Sequence, residues 1–216
     1  MKGHDPLEKP VKIGDAQAMT TGDAHNCWTI RLATLEHLEA LVILEECCFS
    51  VPWSRKNFEA ELTGNQFSRL LMINHPDRGH EDHAIGYICV WMVFEELRVL
   101  NLAIHPEFRR RGLASQLVDK AIRLGTEEGC SRGMLEVRAS NTAARKLYEH
   151  FNFRQYAIRK SYYTNPTEDA ILMTLEPLGR HLQSGGWNAS EKVVDNESFT
   201  QVYPETSERS VPYGDR

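Results

Sequence analysis

Val99-Leu100-Asn101-Leu102-Ala103-Ile104, then His105-Pro106, then Arg109-Arg110-Arg111-Gly112-Leu113-Ala114: this stretch decides the fold. Its first six residues are largely apolar and β-prone, and His105-Pro106 ends the run, because proline restricts the residue before it and cannot extend a ladder. Beyond it Leu113, Leu117, Val118, Ala121, Ile122 and Leu124 recur at helical spacing, which predicts a helix over 113–128. A helix N-terminus presents unpaired N–H groups, glycine permits close approach and arginine adds charge, so this strand–turn–helix favours a phosphate. Three successive arginines also suit a solvated basic turn. The glycine and the helix behind them are what favour the anion.

Periodicity predicts alternating strands and helices on both sides of this stretch. A strand over 28–32 leads to a helix capped by Thr34 with Glu36 and carrying Leu38, Leu41, Val42, Leu44 and Glu45. Ser54 caps a second helix bearing Phe58 and Leu62. Strands follow over 67–73 and 84–91, separated by the turn-rich segment 75–83, and a fourth spans 95–104. A fifth strand over 133–138 and a helix over 142–150 come next, with Asn152 placed for a left-handed position after that helix. Segments 157–163 and 169–175 form a closing hairpin. The expected fold class is α/β, a mixed central sheet flanked by helices.

The 216 residues suit one domain over 28–177, with a flexible leader over 1–27 and a polar, disordered tail over 178–216. A net charge of −5 and a pI near 6.0 give no case for nucleic-acid binding. The five cysteines (27, 47, 48, 89 and 130) lack metal-ligand or C-x-x-C spacing, and the nine histidines form no H-x-x-x-H pair, so no metal is expected. Cys47-Cys48 reads as a redox pair or, more commonly, as small buried hydrophobes. No apolar run is long enough to span a membrane and the polar start lacks a signal-peptide core, so the expected compartment is the cytoplasm. Nothing in the sequence fixes an oligomeric state.

About thirty residues beyond the glycine turn stand Leu135-Glu136-Val137-Arg138-Ala139-Ser140-Asn141 and then Ala143-Ala144-Arg145-Lys146-Leu147-Tyr148-Glu149. Together with Arg109 to Ala114 they resemble the acetyl-CoA signature of the GCN5-related N-acetyltransferases (GNAT), whose Arg/Gln-x-x-Gly-x-Gly/Ala loop binds the cofactor pyrophosphate. Within that superfamily, Pro52-Trp53-Ser54, Asn101 to Ile104, Leu135 to Asn141, Leu147-Tyr148-Glu149 and Tyr162-Tyr163 are similar to the RimI-type ribosomal-protein-alanine N-acetyltransferases, over roughly 28–177. The resemblance implies acetyl-CoA as co-substrate. Leu102, Ala103 and Ile104 would offer backbone groups to the pantetheine as an added strand does, and Arg109, Arg110, Arg111, Gly112, Leu113, Ala114 and Ser115 would hold the pyrophosphate. Ala114 stands where glycine is common.

Acyl transfer needs a neutral amine, a stabilised oxyanion and a proton for the leaving thiolate. A terminal amine has a pKa of about 8, so a base helps at neutral pH. Glu136 shares a strand face with Met134 and Arg138, opposite Leu135 and Val137. It is either that base or a partner for Arg138 or for a cation on a neighbouring strand. Tyr148, a phenol with a pKa of about 10, is the matching acid or a packed helical tyrosine. Asn141 either caps the following helix or bonds the pantetheine arm, two uses of one amide oxygen.

For the acceptor, the resemblance implies that Trp53, Tyr162 and Tyr163 line a slot for a peptide N-terminus, most directly that of a ribosomal protein beginning with alanine. Thr164 stands where such sequences often carry proline. A small-molecule or lysine amine is the alternative acceptor, since fold does not fix substrate. A purely regulatory acetyl-CoA-binding module is a second alternative, and it would need neither Glu136 nor Tyr148.

Overall fold

Alternation along the strands sorts apolar side chains onto two faces of one sheet. On β2 (Ser68–Asn74), Leu70 and Met72 face one side while Leu71 and Ile73 face the other. On β3 (Ala84–Val93), Tyr87 and Cys89 oppose Ile88 and Val90, and on β4 (Glu96–Ile104) Ala103 opposes Leu102 and Ile104. Each face is then covered by helices whose apolar stripes match it. Helices α1 (Leu38–Cys48) and α2 (Arg55–Glu59) cover the first face through Leu38, Leu41, Leu44 and Phe58. Helix α3 (Leu113–Glu127), with residues of α4 (Thr142–His150), covers the second through Leu113, Leu117, Val118, Ile122, Leu147 and Tyr148.

The computed structural model describes residues 28–74 and 83–179. The expected leader, most of the turn-rich segment and most of the expected tail lie outside the described residues. With β1 (Thr29–Leu32), β5 (Arg132–Arg138), β6 (Arg154–Thr164) and β7 (Thr167–Leu175), the seven strands run in the order β1-β2-β3-β4-β5-β7-β6. Only β4 and β5 are parallel. The mixed sheet flanked by helices is the fold class that the sequence predicts.

Local signals placed most elements within one or two residues, and the differences have physical causes. Thr34 caps through His37 rather than with Glu36: its N–H donates to His37 Nδ1 at 3.0 Å, and a short 3-10 turn (Leu35–His37) precedes α1. Ser54 caps α2 as expected, accepting from Asn57 N–H at 3.3 Å, but α2 lasts only five residues before it widens into a π turn (Ala60–Gly64) that carries Leu62. Asn152 takes its left-handed conformation, with φ of 66°. Cys47 is exposed and Cys48 buried, and both are free thiols. Strand β6 begins three residues earlier than expected, at Arg154, and is bulged twice against β7.

The packed chain also runs one residue past the expected boundary at 177. Leu178 is fully buried, and its N–H donates to Ser131 C=O at 2.7 Å. It seats on two glycines: a β-carbon at Gly133 would stand 3.0 Å from Leu178 Cδ1, and one at Gly125 would stand 3.2 Å from Leu178 Cδ2. The leucine therefore locks the C-terminal end of α3 to the start of β5. Leu178→Ala should destabilise the fold by about 3 kcal/mol, read as a lower midpoint in denaturant unfolding, because both glycines leave a cavity that no neighbour fills. A loss below about 1 kcal/mol would show that the end of α3 closes over the gap.

Candidate active site

β4 and β5 pair in parallel only from Glu96 with Arg132 to Val99 with Leu135. Beyond that point β4 continues on β3 as far as Ile104, and β5 continues on β7 as far as Arg138. The two strands therefore part, and each leaves one backbone edge facing an opening. His105 N–H donates to Ile85 C=O at 2.8 Å, so the odd residues of this stretch bond to β3. By alternation Ala103 does the same, and Leu102 and Ile104 turn their N–H and C=O toward the opening. Of the three residues expected to offer backbone groups to the pantetheine, Leu102 and Ile104 turn theirs to the opening, and Ala103 turns its to β3. At present Leu102 N–H donates to Asn101 Oδ1 at 2.9 Å, and Ile104 C=O accepts from Arg109 Nε at 3.0 Å and Cys48 Sγ at 3.4 Å.

The turn after β4 is shaped for an anion by its backbone more than by its arginines. Arg110 and Gly112 both have positive φ, 63° and 74°, which turns successive amides inward. The first intrahelical bond of α3 runs from Gln116 N–H to Gly112 C=O at 3.1 Å, so the amides of Leu113, Ala114 and Ser115 precede the ladder. Ser115 Oγ is buried and has no hydrogen-bond partner among the described residues. A phosphate oxygen would satisfy these donors, so the turn fits the pyrophosphate group that the sequence implies. Of the three arginines, Arg109 folds back on Ile104, and Arg111 reaches Glu107 C=O at 3.3 Å and lies over the Phe108 ring at 5.2 Å. Arg110 is exposed.

Glu136 and Tyr148 lie on opposite faces of the sheet. Leu135 and Val137 belong to the core under α3, so Glu136 points to the α1/α2 face, as alternation predicts. Its partner is Arg159 on β6, at 3.1 Å from Oε1, rather than Arg138 two residues on. Arg159 also lies 4.5 Å over the Tyr162 ring. Burial, with Glu136 bonded to its hydroxyl, pushes the Tyr162 phenol up. A bulge in β6 brings these groups together: Ser161 has φ of 51°, and Asp169 holds the bulge by accepting from Ser161 N–H at 2.9 Å and Lys160 Nζ at 2.7 Å. Tyr148 is 0% exposed, edge-on to Phe153 at 5.7 Å, and burial pushes its phenol well above the usual range, so it stays protonated. Asn141 Oδ1 accepts from Ala144 N–H at 3.0 Å, the helix-capping use of that oxygen.

Of the tyrosine pair, Tyr162 is half-buried beside Glu136, whereas Tyr163 is buried beneath the Arg138 guanidinium, 4.1 Å from its ring. Tyr163 therefore supports the surface that Tyr162 lines. Trp53 lies 5.5 Å from Phe58, which lies 5.5 Å from Tyr87, and Trp53 N–H donates to Glu45 Oε1 at 3.0 Å. Glu45 is 1% exposed and also accepts from Asn101 Nδ2 at 3.1 Å and from the Tyr87 hydroxyl. Burial pushes its carboxyl up to about 7. The sequence reading gave no role to Glu45, Tyr87, Arg159 or Asp169. One signal was available: Glu45 falls on the apolar stripe of α1 with Leu38, Leu41 and Cys48, where a carboxylate is out of place.

Among the described residues no group of three or more His, Cys, Asp or Glu side chains is gathered in metal-binding geometry, and no helix is long and apolar enough to cross a membrane. A model of the acetyltransferase (GNAT) family matches residues 38–153. The ribosomal protein bS18-alanine N-acetyltransferase of Salmonella typhimurium is 35% identical over 149 residues, covering 68% of this chain and 96% of that protein. The crystal structure of the ribosomal-protein-S18-alanine N-acetyltransferase from Escherichia coli superposes with a TM-score of 0.63 at 30% identity, covering 69% of this chain and 94% of that one. Arabidopsis thaliana NAA60, solved with acetyl-CoA, has the same fold, with a TM-score of 0.62 at 19% identity over 69% of this chain and 98% of that one.

The Glu45 carboxyl gives the fold a pH dependence of definite sign. Its folded pKa of about 7 exceeds the unfolded value of 4.5, so its contribution is fully present below 4.5 and is lost as pH rises through 7. Between about pH 5 and pH 8 the native protein should lose roughly 2 to 3 kcal/mol relative to Glu45→Gln, measured by denaturant unfolding at both pH values. Parallel curves for the two proteins would mean that Glu45 titrates as an exposed carboxyl.

Proposed function

The chain belongs to the acetyltransferase (GNAT) family and is an acyltransferase, and we propose that it transfers acetyl from acetyl-CoA to the N-terminal α-amine of a protein, a ribosomal protein beginning with alanine. The observation that carries this reading is the parting of β4 from β5 on the strand that leads into the glycine turn of α3, with Glu136 on one face of the sheet and Tyr148 on the other. The name of the Salmonella typhimurium relative supports the acceptor class.

Leu102 and Ile104 provide a strand edge for the pantetheine arm, and the amides at 113–115 with Ser115 Oγ provide the pyrophosphate seat. When bound, acetyl-CoA supplies a thioester whose carbonyl carbon accepts the amine and whose sulfur departs. Glu136 takes the proton that the amine must shed, directly or through one water, and Arg159 fixes the carboxylate at 3.1 Å so that it faces the acceptor side. Tyr148 gives its phenolic proton to the sulfur as the carbon–sulfur bond breaks; burial keeps that proton on the phenol at neutral pH before the step. Trp53 and Tyr162 border the acceptor slot on the α1/α2 face, where Glu136 also points. This work takes place in the cytoplasm, where ribosomal proteins are made.

Incubation of the full chain with acetyl-CoA and peptides that carry both a free N-terminus and an internal lysine tests the reading by fragment mass spectrometry. The acetyl group should sit on residue one of an alanine-initiated peptide. Modification of the lysine alone, or of a polyamine alone, would move the acceptor to a side-chain or small-molecule amine. In the same assay Tyr148→Phe should lower kcat by about 100-fold while acetyl-CoA still binds. A wild-type kcat would return Tyr148 to packing.

A further inference from the structure

The buried carboxyl of Glu45 has no part in the proton transfers described above, yet it sits where the two substrates would meet. Its partners are three donors: Trp53 N–H and Asn101 Nδ2 on Oε1, and the Tyr87 hydroxyl on Oε2. The phenol donates its proton to Glu45, and its oxygen accepts from Asn101 Nδ2 at 2.7 Å. A carboxylate satisfies all three donors. A carboxylic acid brings a fourth proton to the same partners, so one of these buried donors is left without an acceptor. The remaining atom of Asn101, Oδ1, accepts from Leu102 N–H, the amide that faces the opening. One carboxylate is thus tied both to the loop at 49–54 and to the strand edge.

Taking the acetyl-transfer reading as given, we propose that Glu45 is a positioning residue: its carboxylate holds the Trp53 loop against β4 through Asn101 and Tyr87, and so sets the acceptor slot in register with the donor strand. The titratable and charged groups around this network are Tyr87 and Cys89 on β3, Cys48 one turn further along α1 and, beside Cys48, Arg109. Burial leaves the carboxyl near 7. The network is therefore complete above neutrality and loses a bond below it, and the loop at 49–54 loosens with that loss. Isolated burial of this carboxyl costs stability, as the sign of its titration shows. Only a use in the folded state offsets that cost.

Intrinsic fluorescence of the ligand-free full chain, titrated with acid, reads the loop without any turnover. A transition with a midpoint near pH 7 is expected. It should vanish in Glu45→Gln, and it should vanish in Trp53→Phe, which excludes the other tryptophans as its source. Tyr87→Phe removes one donor to the carboxylate and should move the midpoint to higher pH, a readout that stands even if Glu45→Gln folds poorly. In kinetics above neutrality, Glu45→Gln should raise the peptide KM by about tenfold while kcat changes by less than about threefold. A transition that survives in Glu45→Gln, or a folded Glu45→Gln with wild-type peptide KM, overturns the positioning role. A wild-type chain that acetylates no peptide α-amine instead overturns the functional reading, and that result is seen before any variant is made.

Discussion

Parallel pairing between β4 and β5 lasts four residues a side and stops at Val99 with Leu135. Each strand then follows its antiparallel neighbour, β4 on β3 and β5 on β7, which pull it in different directions as the sheet twists. An opening in the middle of a sheet exposes backbone donors and acceptors that would ordinarily be paired, at a cost of roughly 1 to 3 kcal/mol for each group left buried and unmet. The chain meets that cost locally. Asn101 Oδ1 takes the Leu102 amide, and Arg109 with Cys48 takes the Ile104 carbonyl. These stand-ins are side chains, which a ligand strand can replace. The bonds of the ladders on either side cannot be given up so easily.

Several polar groups of the interior lie beside this opening. Glu45, Tyr87 and Asn101 form one connected set within the core under α1 and α2, and Ser115 Oγ and the Tyr163 hydroxyl are buried without a hydrogen-bond partner among the described residues. The core under α3 is otherwise built from aliphatic and aromatic residues with two methionines and Cys130. An interior evolved for stability alone would replace these polar groups with hydrocarbon. Their concentration beside the parted strands is what a binding and catalytic centre leaves behind in a fold that elsewhere follows the packing rules.

How much of this was legible in the sequence depended on the range of the interaction. The bounds of α4 and the left-handed Asn152 were readable because caps and C-terminal turns are set by residues three or four apart. The glycine turn was readable for the same reason. The face on which Glu136 lies followed from alternation along one strand. Its partner did not: Arg159 reaches it only because β6 pairs with β7 out of register, and a bulge is fixed by pairing that no local pattern announces. The backbone direction of Ala103 also depends on which edge of β4 meets β3. Leu178 was read as the start of a polar tail because the two glycines that receive it lie far back in the chain.

The central claim is that the parted edge of β4 and the glycine turn of α3 act together as one acetyl-CoA site. Backbone 15N NMR of the full chain, titrated with acetyl-CoA, tests it most directly. Shift changes should be largest at the amides of Leu102 and Ile104 and at 112–115, with little change at β1 and β2 on the far side of the sheet. Changes confined to the arginine turn, with Leu102 and Ile104 unmoved at saturation, would contradict the claim and leave only a phosphate-binding loop.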